Sequence, residues 1–200
     1  MKKYRIAIYH TDFGVGGVEK VMITYANQLA EMGYEVYAIE TRHGMLDNRF
    51  SEKVKVINLN VSRFRYAILK TASALKNYKI DLVFCANANT LYVEIAKLLF
   101  NHRMKIVTSH HFYCNNSEMK WYLVSGLKYI YNFSDLVLAV SDGIRKELLN
   151  KIGVKNKKVR VLKNPINIDE LYAKVNAVEI NKISTKSIMW CGRFTSVKNI

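Results

Sequence analysis

The chain has 200 residues, half of them hydrophobic, and carries 31 Lys and Arg against 16 Asp and Glu, a formal net charge of +15 at pH 7. A chain of this length and composition can bury a sizeable core, and no apolar run reaches the roughly 18 residues of a membrane-spanning helix. Cys85, Cys114 and Cys191 are odd in number, widely spaced and without a C-x-x-C pair, so we expect free thiols in a reducing compartment.

The positive charge predicts an anionic partner. Phosphorylated small molecules and anionic lipid headgroups both satisfy this condition. Nucleic acid is not expected as a partner, because the basic residues are spread along the chain without a dense arm.

The first βα unit is predicted from Tyr4 to Lys20. An apolar strand through Ile6 is followed by a turn with Gly14, Gly16 and Gly17, and helical spacing begins at Val18. The unpaired N–H groups at a helix start attract phosphate, although a tight turn needs glycine even where nothing binds. The G-x-G-G spacing lacks both the dinucleotide and the P-loop pattern.

The rest of the chain alternates between strands and helices. We predict further strands at Glu35–Glu40, Val54–Leu59, Asp81–Ala86, Lys105–Ser109, Asp135–Val140 and Val159–Leu162, and helices at Val18–Met32, Arg63–Tyr78, Leu91–Phe100, Asn115–Phe133 and from Ser141 to near Lys151. This alternation predicts an α/β fold with a doubly wound, mostly parallel, Rossmann-like sheet and helices on both faces.

In such folds ligands bind beyond the carboxyl ends of the strands. This rule collects one set of candidate residues on a single rim: Gly16, Gly17, Asn87, Asn89, His110, Ser141 and Asn164.

The pattern weakens after residue 174. A new apolar strand from Ser187 to Cys191 then opens onto Arg193 and Lys198. We predict an N-terminal Rossmann-like domain over residues 1–174, a linker over 175–186 and the start of a second, donor-binding domain over 187–200. The alternative is a last strand of the same sheet.

Five stretches together resemble one enzyme family: GGVEK from Gly16, TSHHF from Thr108, VSDGIRKEL from Val140, VLKNPINIDEL from Val161 and CGRFTSVKNI from Cys191. In order and spacing they are similar to the nucleotide-sugar-dependent glycosyltransferases of the GT-B fold, in particular the group called family four. The resemblance covers the whole chain, which would be the N-terminal, acceptor-side half.

The resemblance implies site residues. Gly16 and Gly17 match the loop that approaches the donor diphosphate and sugar, and Arg193 and Lys198 match the basic pair that holds the diphosphate. His110 matches the histidine near the reacting sugar and is the predicted catalytic residue. His111, where the family often has Asp or Asn, and Asn164 in the N-P-I-N turn are predicted to bind substrate. Which of the two histidines faces the cleft stays open.

The resemblance also implies a reaction. A retaining, metal-independent enzyme would move a sugar from a nucleotide sugar to a saccharide or lipid-linked acceptor, in polysaccharide, lipopolysaccharide or glycolipid biosynthesis, with no cofactor. No D-x-D motif supplies metal ligands, and His110, His111 and Cys114 lack a fourth ligand for zinc. The family's acidic element belongs to the second domain, so we expect the chain alone to be inactive.

Two other functions remain open. A non-catalytic nucleotide- or sugar-binding α/β module and a GT-B nucleotide-sugar epimerase would both have the same sheet. The aromatic and basic segment Lys120–Tyr131 predicts either a core helix or contact with an anionic membrane surface. The expected location is the cytoplasm, or the inner face of the membrane as a peripheral protein.

Overall fold

The computed structural model describes residues 4–100, 103–114, 121–166 and 168–176. The chain divides into two compact units, Met1–Ile166 and Asn167–Ile200. Of the second unit, the structure describes the helix α6 (Ile168–Asn176). Residues 177–200, which hold most of the predicted linker and the predicted start of a donor-binding domain, lie outside the described residues.

The first unit is built on one parallel sheet, as the sequence predicts. Its strands are β1 (Arg5–His10), β2 (Glu35–Glu40), β3 (Val54–Asn58), β4 (Leu82–Ala86), β5 (Lys105–His110), β6 (Leu136–Ala139) and β7 (Val159–Val161). Their order across the sheet is β3-β2-β1-β4-β5-β6-β7. Strands β2 and β3 are added on one side of β1, and strands β4 to β7 are added in sequence on its other side. This arrangement is the doubly wound topology.

Helices connect these strands. They are α1 (Gly17–Glu31), α2 (Phe64–Asn77), α3 (Thr90–Phe100), α4 (Trp121–Phe133) and α5 (Asp142–Glu147), and the last continues as a wider π-helical turn over Leu148–Ile152. Two helix ends follow from local sequence. The Ser141 hydroxyl accepts the Ile144 N–H at 3.2 Å and caps α5, and Gly153 ends the π-helical turn with φ of +80°.

Each face of the sheet has its own core. Ile6, Ile8 and Phe84 pack under α1 on one face. Residues of opposite parity, such as Ala7 and Ile106, pack against α2 and α3 on the other face, and Val137 extends that face toward α4 and α5. The predicted helices on both faces are confirmed.

No described helix has both the length and the apolar character needed to cross a bilayer. Cys85 and Cys114 are buried free thiols, as expected, and Cys191 lies beyond the described residues.

Candidate active site

The carboxyl ends of β1 and β4 form the switch point of the sheet. These strands are neighbours, with Tyr9 paired to Cys85, but the chain leaves β1 toward β2 and leaves β4 toward β5. Consecutive loops therefore diverge here and leave a crevice, which is where ligands bind in open α/β sheets.

The turn after β1 brings glycine to this crevice. Gly16 is extended, with φ of −155° and ψ of 169°, and α1 begins at Gly17 without a side-chain cap. A Cβ added at Gly17 would have no neighbour within 4 Å, whereas one at Gly16 would collide with the Glu19 carboxylate. The first turn of α1 is thus open at Gly17, and its N–H groups and dipole favour an anion there.

A buried carboxylate supports this turn. Glu40, the last residue of β2, is 0% exposed. It accepts the main-chain N–H of Phe13 at 3.4 Å and the side-chain amide of Asn58 at 3.0 Å, and its Oε1 lies 3.7 Å from Nδ1 of His43. Nothing in the local sequence marks Glu40 as a support of this turn, because its partners come from distant segments of the chain.

Main-chain contacts hold the same loop from β2. The Thr41 hydroxyl donates to the Thr11 carbonyl at 2.7 Å, and the Leu46 N–H donates to the Phe13 carbonyl at 2.9 Å. Gly44 lies against Phe13 so closely that a Cβ there would stand 2.5 Å from the Phe13 nitrogen. The conformation of the β1–α1 loop is therefore fixed by the loop that follows β2.

His10 ends β1 at the crevice. It is largely buried, its ring packs 5.7 Å from that of Phe13, and its Nδ1 lies 2.6 Å from the carbonyl oxygen of Asp12. The Asp12 carboxylate forms an ion pair with Arg42 at 3.0 Å. No motif in the sequence marks His10 as a site residue, because it has no pattern of polar partners along the chain.

His111 follows β5 and lies on the rim, partly exposed. Its main-chain N–H donates to Oδ1 of Asn87 at 3.1 Å, and its Nε2 lies 2.8 Å from the Ser109 hydroxyl. Burial, with a smaller effect of charge on His10, lowers the pKa of His111 to about 4. The ring is therefore neutral at pH 7.

His110 points the other way. It is 0% exposed, with Nδ1 2.7 Å from the Tyr131 hydroxyl and Nε2 3.9 Å from the Cys114 sulfur. Burial, with a smaller effect of His111, lowers the pKa of His110 to about 4. Adjacent residues on a strand face opposite sides of the sheet, and of the two histidines it is His111 that shares a face with α1.

His110, Cys114 and Glu147 bring ligand-type atoms within 4.8 Å of one another. Other groups of the protein already engage this cluster. The Cys114 N–H donates to Glu147 at 3.1 Å, and the Lys151 ammonium lies 3.3 Å from the same carboxylate. A fixed ammonium next to the carboxylate opposes a second cation, so the arrangement fits a hydrogen-bonded core better than a metal centre.

A chain of hydroxyl groups runs beneath the rim. The Thr90 hydroxyl donates to the Asn87 carbonyl at 2.8 Å and lies 3.1 Å from the Thr108 hydroxyl. Thr108 is 2.9 Å from Ser134, which donates to the Glu94 carboxylate at 3.0 Å. Burial raises the pKa of Glu94 to about 8. These hydroxyl groups connect the turn at Asn87 to a buried acid, Glu94, that no sequence motif marks.

The remaining predicted residues have different positions. Ser141 serves as the cap of α5. Asn164 is exposed in the segment after β7, and Asn89 lies in the short 3₁₀ turn Asn87–Asn89. Arg193 and Lys198 lie outside the described residues, and their predicted contact with a donor diphosphate stays a prediction.

Comparisons with known proteins agree with this architecture. The family model for Glycosyltransferase Family 4 matches residues 15–170. A comparison with curated protein sequences finds no significant match.

Among solved structures, a glycosyltransferase from Rickettsia africae is similar at 21% identity, with a TM-score of 0.66, over 90% of this chain and 47% of that one. Anabaena HepE in complex with UDP-glucose is similar at 15% identity, with a TM-score of 0.68, over 86% of this chain and 50% of that one. The UDP-GlcNAc 2-epimerase of Methanocaldococcus jannaschii is similar at 14% identity, with a TM-score of 0.61, over 88% of this chain and 54% of that one.

The fold is the N-terminal half of a GT-B architecture, and the chain spans about half the length of the solved structures it matches. Because the family model covers more than half of the sequence, the chain belongs to Glycosyltransferase Family 4.

Proposed function

We propose that this chain supplies the acceptor-side half of an enzyme that moves a sugar from a nucleotide sugar to a saccharide or lipid-linked acceptor. The observation that carries the proposal is the arrangement of the crevice. The open first turn of α1 at Gly17 and the half-buried ring of His111 lie on the same face of the sheet at the switch point. A solved structure of similar fold contains UDP-glucose.

The proposed chemistry needs no metal. Breaking a nucleotide-sugar bond leaves a diphosphate, whose developing charge can be stabilised by N–H dipoles and fixed cations. The turn at Gly16 and Gly17 supplies the dipoles, and we assign the cations to Arg193 and Lys198. The family resemblance favours retention of configuration and a role in polysaccharide, lipopolysaccharide or glycolipid assembly.

Calorimetric titration of UDP, GDP and ADP tests the donor site. Each nucleotide is added to this chain and to a version extended through the full gene. We expect tight binding of one nucleotide by the extended protein and weak or no binding by the 200-residue chain. Equally tight binding by the short chain would instead favour a self-contained nucleotide-binding module.

An epimerase is the second candidate, because proteins named UDP-GlcNAc 2-epimerases share the fold. The two reactions give different products from one nucleotide sugar. Incubating the extended protein with the nucleotide sugar that it binds, with and without acceptor, separates them. Glycosylated acceptor supports the transferase, and an epimerised sugar formed without acceptor supports the epimerase.

We also propose peripheral association with an anionic membrane on the cytoplasmic side. On α4, Tyr131 is fully buried, but Tyr129 is 76% and Phe133 52% exposed, and Lys128 beside them is exposed. Aromatic rings and lysine on one surface suit a headgroup layer. Sedimentation with anionic and with neutral liposomes tests this. We expect the unmodified protein to bind anionic liposomes and a Tyr129→Ser, Phe133→Ser variant to lose that binding. If the unmodified protein binds neither liposome, the membrane proposal is wrong.

A further inference from the structure

The ends of β1, β4 and β5 place three side chains in one row. Tyr9 pairs with Cys85, and Ala86 pairs with Ser109, so His10, Ala86 and Ser109 lie at the same level of three adjacent strands. Side chains alternate between the two faces of a sheet, and all three of these residues lie on the face covered by α1. The middle residue, Ala86, has the smallest side chain of the three.

The small side chain of Ala86 allows two imidazole rings to approach each other above it. Strands β1 and β5 are roughly 10 Å apart, two strand spacings, and a methyl group fills little of that width. His10 extends from one side, and His111 is held on the other side by Ser109. The register of β1, β4 and β5 therefore places the two histidines on one face of the sheet, two strands apart, and charge on His10 contributes to the lowered pKa of His111.

Hydrogen bonds select one tautomer for each ring. The Asp12 carbonyl can only accept, so Nδ1 of His10 carries a hydrogen, and in the neutral ring Nε2 has a lone pair. The Ser109 hydroxyl donates to the Cys85 carbonyl at 3.4 Å, so Nε2 of His111 donates to Ser109 and Nδ1 has the lone pair. Within the described part of the chain, neither lone-pair nitrogen has a hydrogen-bond partner.

We propose that His10 Nε2 and His111 Nδ1 together accept hydrogen bonds from the hydroxyl groups of a neutral sugar, which makes His10 a substrate-binding residue. This inference rests on the proposed function and names the chemistry of one subsite. A sugar has several hydroxyl groups that can donate to lone pairs, whereas a fully ionised phosphate ester or diphosphate brings only acceptors to two acceptor nitrogens. The protein's net charge of +15 would have suggested an anion here.

The charges around the pair agree with a neutral ligand. Asp12, whose carbonyl holds His10, has its carboxylate paired with Arg42 at 3.0 Å. Two imidazole lone pairs can also bind a metal, but among the described residues the group of three metal-type ligands lies elsewhere, at His110, Cys114 and Glu147.

The first test needs no substitution. Nitrogen-15 NMR of the histidine rings at pH 8 reports which ring nitrogen carries the hydrogen. We expect the Nδ1–H tautomer for His10 and the Nε2–H tautomer for His111. The opposite tautomer at either ring would overturn the proposal, because that ring would then present a donor to the crevice.

The second test compares neutral sugars with a charged probe. Methyl glucoside, methyl galactoside, methyl mannoside and inorganic phosphate are each titrated into the protein, and binding is followed by the same ring resonances. We expect a neutral glycoside to shift both rings, and His10→Phe to weaken that binding by about tenfold, the loss of one hydrogen bond. Tyr66→Phe, at an exposed aromatic residue of α2 on the opposite face of the sheet, should bind as the unmodified protein does.

Other outcomes are decisive against the subsite. Preferential binding of inorganic phosphate, no shift with any glycoside, or Zn²⁺ binding that requires His10 would each overturn it. The nucleotide titration separates this result from the proposed function. If the extended protein binds a nucleotide but His10→Phe leaves glycoside binding intact, the subsite alone is wrong. If glycosides bind through His10 and no nucleotide binds, the transferase proposal fails and the sugar subsite stands.

Discussion

The main-chain N–H of His111 donates to Oδ1 of Asn87 at 3.1 Å, and this bond joins the turns that follow β4 and β5. Asn87 has φ of +52°, in the left-handed region of backbone conformation that residues other than glycine and asparagine rarely adopt. This backbone conformation orients the Asn87 side-chain amide toward the main chain of His111. The main-chain carbonyl of Asn87 accepts a hydrogen bond from the Thr90 hydroxyl. A local backbone cost is offset by two hydrogen bonds on the rim.

Substitution of Asn87 should separate the backbone cost from the side-chain bond. Asn87→Gly keeps the left-handed conformation but loses the bond to His111, at a cost of about 1 kcal/mol. Asn87→Ala loses the bond and adds about 1 kcal/mol of strain. Urea denaturation gives the free energies of unfolding, with Asn89→Ala as the control, since φ of Asn89 is outside the left-handed region. Equal losses for Gly and Ala would show that the turn relaxes.

Glu40 should be a major support of the β1–α1 loop. Glu40→Ala leaves the buried Phe13 N–H without its acceptor, removes the acceptor of the partly exposed Asn58 amide and empties a buried site, and we expect a loss of about 2–3 kcal/mol in the free energy of unfolding. Glu40→Gln keeps the shape and one acceptor oxygen and should lose about half as much. Glu31→Gln, which breaks an exposed ion pair with Lys53, is the control and should change stability by under about 0.5 kcal/mol. A similar small effect at Glu40 would contradict its role.

Much of the fold follows from local sequence. Buried parallel strands need apolar runs without alternation, and DLVFCA and DLVLAV, beginning at Asp81 and Asp135, are such runs. Ser141 and Gly153 mark helix ends because capping and left-handed termination depend on residues close in the chain. The parallel sheet and the helices on both faces follow from repeated βα units, whereas the order of the strands comes from the structure.

The site is less predictable because its contacts are distant in sequence. Alternation shows that His110 and His111 face opposite sides of the sheet, but only the packing of Tyr131 against His110 and of Ser109 against His111 shows which side each takes. In the sequence, Glu40 looks like any polar residue at the end of a strand. Its buried position depends on contacts with Phe13 and Asn58, which are distant in the chain. The predicted roles of Arg193 and Lys198, and the catalytic role of His110, stay predictions.

Two glycines of the first unit should respond differently to alanine. A Cβ at Gly17 meets open space, whereas one at Gly44 meets the Phe13 main chain at 2.5–2.7 Å. We expect Gly44→Ala to lose about 2 kcal/mol of stability through overpacking and Gly17→Ala to change it by under about 0.5 kcal/mol. Thermal and urea unfolding measure both.

Gly17→Ala also tests the donor site without unfolding the protein. If a diphosphate approaches the first turn of α1, the added methyl group should weaken nucleotide binding by the extended protein about tenfold, at unchanged stability. Gly33→Ala is not a suitable control because Gly33 has φ of +92°. Gly126→Ala is suitable, since a Cβ there has no neighbour within 4 Å. Unchanged nucleotide affinity in Gly17→Ala would remove this turn from the donor site.

Glu94 should make stability fall as pH rises. Burial raises its pKa from 4.5 to about 8, against smaller opposing effects of Ser134, Lys158 and Lys97. Between these two values the folded protein holds a proton that the unfolded chain has released, so raising the pH favours unfolding, with a slope of up to about 1.4 kcal/mol per pH unit. Above pH 8 both states are ionised and this dependence ends.

Glu94→Gln replaces the titrating carboxyl group by an amide. The amide has nearly the same shape and keeps an oxygen that accepts from the Ser134 hydroxyl. The difference in unfolding free energy between Glu94→Gln and the unmodified protein should therefore grow in favour of the variant from pH 5 to pH 8 and then level off. Urea denaturation at half-unit steps of pH measures it, with Glu52→Gln at an exposed site as the control for general charge effects. Parallel curves for Glu94→Gln and the unmodified protein would show that Glu94 ionises in the folded state much as it does in the unfolded chain, with the hydroxyl chain through Ser134 and Thr108 compensating for its burial.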